Sequence, residues 1–62
     1  MRVSRTFILE RPARKSGGDR YMQAPEEGAQ SISQQIYIDQ QTSRNAGKPR
    51  QVLKITVESI ED

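Results

Sequence analysis

The sequence predicts a small all-β domain: an antiparallel meander or barrel-like sheet of three to four strands. Three observations carry this. Apolar residues alternate with polar ones in separate segments, which is the period of a half-buried strand. Segments rich in Gly, Pro, Asn and Asp divide them. The chain has 62 residues, of which twelve are Leu, Ile, Val or Phe. That supports a single domain over 1–62 and a marginal core, since a chain of this size buries only about 60% of its unfolded surface.

The first expected strand is 2–10. Val3, Phe7 and Leu9 share one parity, interrupted by Arg5, and Ile8 points the opposite way, so this strand is expected to be covered on both faces. Pro12 and Gly17-Gly18-Asp19 end it and open a loop. A short strand at 19–24 centres on Tyr21 and Met22, and Pro25 to Gly28 break it. The third strand is 32–39, where Ile32, Ile36 and Ile38 share a parity and Ser33, Gln35, Tyr37 and Asp39 take the other. A short helix over 25–35 competes with this assignment. Pro25 suits a first helical position, the carboxylates of Glu26 and Glu27 suit a first turn, and Ala29, Ile32 and Ile36 fall on one helical face. Gly28, two serines and the β-branched residues around Tyr37 favour a turn and then a strand. Asn45 to Pro49 form the last break. The final strand, 51–58, has the clearest alternation: Leu53, Ile55 and Val57 against Lys54, Thr56 and Glu58. The expected core is Phe7, Leu9, Ile36, Ile38, Leu53, Ile55 and Val57.

Charge is segregated along the chain. Residues 1–20 carry +4, 21–43 carry −3, 44–54 carry +4 and 55–62 carry −3, summing to the net +2. In an antiparallel meander the first and third loops share one end of the sheet. The basic residues Arg11, Arg14, Lys15 and Arg20 then meet Arg44, Lys48 and Arg50 at one tip, while Glu26 and Glu27 sit at the other end. Arg forks and Lys point charges suit phosphate, and Ser16-Gly17-Gly18 can offer backbone amides to an anion. Tyr37, on the polar parity, is a candidate to stack a base. Tyr21, beside Arg20, is a weaker one.

Much chemistry is excluded by composition. Without Cys or His there is no disulfide, thiolate, or imidazole acid–base or zinc chemistry. Gly47-Lys48 is followed by Pro49 and lacks the pattern of a phosphate-binding loop. Glu26 and Glu27 are adjacent, so on a strand they point apart, and Lys15-Ser16 is not an oriented nucleophile–base pair. No cofactor or metal is expected, and the expected protein is non-enzymatic. No apolar run approaches the roughly 20 residues that span a bilayer, so a cytoplasmic protein without membrane contact is expected. The marginal core favours a homodimer or higher homo-oligomer. The function expected is nucleic-acid binding through phosphates at Arg11, Arg14, Lys15, Arg20, Arg44, Lys48 and Arg50, with Tyr37. The alternative is a protein-interaction module, regulator or structural subunit that meets an acidic protein partner or uses a strand edge.

Overall fold

The computed structural model describes residues 1–61. Four strands form one curled antiparallel sheet: β1 (Arg2–Arg11), β2 (Gly18–Gln23), β3 (Gln35–Asp39) and, last in the chain, β6 (Val52–Glu58). Between β3 and β6 lie α1 (Gln40–Ser43) and a two-residue-armed hairpin of β4 (Arg44–Asn45) and β5 (Lys48–Pro49). The small all-β class is therefore as the period-two pattern implies, with one short helix added to it.

The strand order corrects the meander. It runs β3-β2-β1-β6, so the final strand crosses to the free side of β1 rather than pairing with β3. This is Greek-key connectivity. The reason lies in strand length. β2 pairs only with Phe7 to Arg11, whereas β6 pairs with Arg2 to Ile8. A meander would leave both sides of the first half of β1 without ladder partners, and unpaired backbone groups are costly when buried.

The register places Val3, Arg5, Phe7 and Leu9 on the same face as Tyr21, Ile36, Leu53, Ile55 and Val57. Phe7 and Tyr21 are fully buried there; Leu9, Ile36, Ile38, Leu53 and Ile55 are half-buried, and Val57 is 43% exposed. Tyr21 thus replaces Val57 at the centre of the expected core. Its hydroxyl donates to the Arg50 carbonyl at 2.7 Å, which satisfies the polar end of a buried ring. Ile8 is 45% exposed, so the expectation that β1 is covered on both faces does not hold.

Two connections cover the core face. Residues 24–34 are neither helix nor strand, so the competing helix near 25–35 is overturned in favour of the turn, and the start of the third strand is corrected from 32 to Gln35. Ala29 N–H donates to the Glu26 carbonyl, and Gly28 takes φ 78°, which closes a turn where a helix would continue. Arg5 Nε and Gln23 Nε2 donate to the Gln30 carbonyl, and Ile32 N–H donates to Gln23 Oε1. Those side-chain bonds give the segment partners that a helix would have supplied itself. The helix falls instead at 40–43, a single turn closed by Arg44 N–H donating to the Gln40 carbonyl.

Candidate functional site

Loops one and three do share an end of the sheet, and there a buried carboxylate organises them. Asp19 in β2 has no exposed surface. Its Oδ1 accepts from Ala13 N–H and from Arg44 Nη2, both at 2.8 Å. Its Oδ2 accepts from Ser43 Oγ at 2.5 Å and from Arg44 Nε at 3.1 Å. The Arg44 fork therefore grips the carboxylate with two parallel bonds, the strong geometry for this pair. Arg44 Nη2 also donates to the Ala13 carbonyl and Nη1 to that of Gly47. The bonds from Arg44, then those from Ser43 and the Ala13 amide, hold the Asp19 carboxyl far below the usual carboxylate range despite burial, which acts the other way. Arg50 completes the tie. Its guanidinium donates to the Thr42 and Arg44 carbonyls, and its amide to that of Ser43. One buried anion thus fastens β2, loop one, α1 and the β4–β5 hairpin together.

Outside this fastening lies a cleft of about 490 Å³, lined by loop one with Arg20 and Tyr37. Its floor is set by a β-bulge. The register shifts between Leu9 and Arg11, so Leu9 faces Tyr21 and Arg11 faces Arg20. By simple alternation Arg11 would join Leu9 on the core face. The extra residue turns it onto the outer face instead, a known use of bulges. Arg20 in turn pairs with Tyr37 across β2 and β3, making a row of Arg11, Arg20 and Tyr37 on three adjacent strands. Two arginines directly opposite each other repel. Arg20 Nε lies 2.8 Å from Glu10 Oε1, an ion pair whose geometry still leaves this buried Nε–H without a directed acceptor. Arg20 Nη1 lies 3.5 Å from the Tyr37 hydroxyl, a long contact. Tyr37 itself is 63% exposed.

Loop one closes over this row. Gln40 Nε2 donates to the Lys15 and Gly17 carbonyls, and Gly17 takes φ 92°. Gly18 lies so close to β3 that a Cβ there would sit 3.0 Å from the Ile38 carbonyl oxygen. Those two carbonyls are thereby occupied, while the amides of residues 14–17 find no acceptor among the described residues. Arg11, Arg14 and Lys15 are exposed and make no ion pair among the described residues. The arrangement can receive an anion on charged forks and bare amides, with a flat ring beside it. The hollow at the other end of the sheet is lined by Met22, Gln23, Pro25, Glu26 and uncharged neighbours, without a basic group.

Five of the residues singled out in the sequence therefore converge: Arg11, Arg14, Lys15, Arg20 and Tyr37. Lys48 is exposed at the hairpin and does not line the cleft. Arg44 points into the fold and holds the Asp19 carboxylate, while Arg50 lies at the surface with its guanidinium on the Thr42 and Arg44 carbonyls. Tyr21 lies in the core, and burial pushes its phenol pKa up. The residues missed were Asp19, Ser43, Gln40 and Glu10. Asp19 shares parity with Tyr21, a signal that the strand carries it inward; next to Gly17-Gly18 it reads more readily as a turn residue. The buried Ser43–Asp19 contact resembles a nucleophile with its partner, but both side chains are fully buried and Asp19 is held by Arg44, so a substrate cannot reach them.

No family model, curated protein or solved structure matches this chain.

Proposed function

We propose that the protein binds nucleic acid, with phosphates received by Arg11, Arg14, Lys15 and Arg20 and an unstacked base resting on Tyr37. The observation that carries this is the Arg11–Arg20 cross-strand pair beside an exposed tyrosine. Glu10 offsets part of the charge on Arg20, so Arg11, which has no ion pair among the described residues, gains most from an anion beside the pair, and the tyrosine suits the flat group that accompanies a phosphate in a single strand. Arg44 and Arg50 support the site by holding its loops and make no phosphate contact in this reading. Lys48 adds long-range attraction only.

Fluorescence anisotropy against a labelled single strand and a duplex, repeated over a range of salt, tests this. Four phosphate contacts on a single strand give a log–log salt slope of about −3, from roughly −0.7 per contact. A single strand is expected to bind more tightly than the duplex because Tyr37 needs an unstacked base. Absence of binding to either at low salt defeats the proposal. An acidic protein would use the same cations without needing the ring, so salt-sensitive binding of acidic polypeptide that survives Tyr37→Ala would favour that reading.

A further inference from the structure

The sheet has two edges, and they differ. β3 is five residues long and runs directly into α1. β6 is seven residues long, rich in β-branched residues, without proline or bulge. Edges of that kind invite another strand.

The β1–β6 ladder shows which groups remain available. Ser59 N–H donates to the Met1 carbonyl, and Leu9 N–H to that of Gln51. Odd-numbered positions of β6 therefore bond to β1, because antiparallel ladders alternate. The N–H and C=O groups of Val52, Lys54, Thr56 and Glu58 face outward.

We propose that two copies of the chain pair through β6, antiparallel about Thr56, into a continuous eight-stranded sheet. The side chains select the register. A two-fold axis at Lys54 or Glu58 sets like charges face to face. An axis at Ile55 sets Val52 against the partner's Glu58, and one at Val57 sets Lys54 against the partner's Ile60. The axis at Thr56 puts Lys54 opposite the partner's Glu58 twice and Ile55 opposite the partner's Val57 twice. The charges are then complementary on one face while the apolar pair closes on the other. That apolar pair lies on the core face, where Val57 is 43% exposed and Ile55 half-buried. Among the described residues of one copy only Phe7 and Tyr21 are fully buried apolar ones, so extending the core across the axis is a substantial gain. The antiparallel arrangement also sets each basic tip towards the end of the partner that carries Glu26 and Glu27. The pairing does not depend on the nucleic-acid reading, because the cleft lies on β1 to β3.

Sedimentation equilibrium of the full chain, with circular dichroism to confirm folding, is the test. Wild type is expected to sediment as two 7.1 kDa chains at micromolar concentration. Lys54→Glu turns both attractions into repulsions and is expected to weaken association about tenfold or more. Adding Glu58→Lys to it restores the complementarity and the dimer. Thr56→Pro removes an outward N–H while leaving the β1 ladder intact, and is expected to give a folded monomer. Wild type that stays monomeric at about 100 µM overturns the proposal, as does a dimer that neither Lys54→Glu nor Thr56→Pro disturbs.

Discussion

The two basic segments are alike in sequence and opposite in use. Residues 11–20 and 44–50 each combine arginines and lysine with glycine and proline. In the second segment Arg44 turns inward onto Asp19, and Arg50, although exposed, is engaged by carbonyl groups of its own connection. In the first, Arg11, Arg14 and Lys15 stay outside and free of ion pairs among the described residues. Net charge treats them as equal; a buried carboxylate separates the cations that build the tip from those that can meet a ligand.

Substitutions can break that distinction. Asp19→Ala removes the anion that both loops share and leaves the Ala13 amide, the Ser43 hydroxyl and Arg44 without their acceptor. The expected loss is about 3–5 kcal/mol, the range for breaking a buried pair. Stability near 60 residues totals only about 3–9 kcal/mol, so chemical denaturation should find a largely unfolded chain or a greatly lowered midpoint. Arg14→Glu, by contrast, is expected to change stability by less than about 0.5 kcal/mol, as exposed sites do. An unfolded Arg14→Glu variant, or an undisturbed Asp19→Ala, would erase the difference between the segments.

Acid offers a second route to the same contrast. The Asp19 carboxyl is held below its unfolded value of about 3.9. Its contribution is therefore complete above that value and lost as pH falls through the folded one. The melting temperature should drop as pH is lowered from about 5 towards 2, and Asp19→Asn should remove that part of the drop.

On the ligand side, Tyr37→Ala is expected to weaken single-strand binding by about 1–3 kcal/mol without altering the salt slope, whereas Arg14→Glu should make the slope shallower. Titrations of the two variants at several salt concentrations would separate ring from charge. The smallest effect concerns the hairpin between β4 and β5. Ala46 and Gly47 take φ 54° and 80°, so both central positions are left-handed, and Ala is a poor choice for the first. Ala46→Asn should raise stability by about 0.5–1 kcal/mol and leave nucleic-acid affinity unchanged. Thermal melts and a titration of that variant check both halves.

The strands were legible because alternation is local: Leu53, Ile55 and Val57 declare β6 without reference to anything distant. Strand order was not, because the choice of β1 over β3 as neighbour depends on how much of β1 the β2 hairpin leaves unpaired. The competing helix over 25–35 does not form, for a related reason. Glu26 and Glu27 look like a helix start, yet hydrogen bonds from Arg5 and Gln23 hold that segment to the sheet. At the site, Tyr37 was legible from its parity. Arg11 reached the cleft only through a bulge that alternation cannot foresee, and the inward turn of Arg44 required knowing that Asp19 is buried.

The crossing to β1 has a kinetic consequence. Arg2 pairs with Glu58 and Ile8 with Val52, so the longest ladder joins segments near opposite ends of the sequence. Such contacts close large loops before they return any stabilisation, and all-β domains dominated by them fold over milliseconds to seconds. The β1–β2 hairpin can form early, carrying Arg11, Arg20 and Asp19. Loop one gains its fixed shape only once Arg44 docks, so a refolding chain is expected to regain strand signal before it regains a competent cleft.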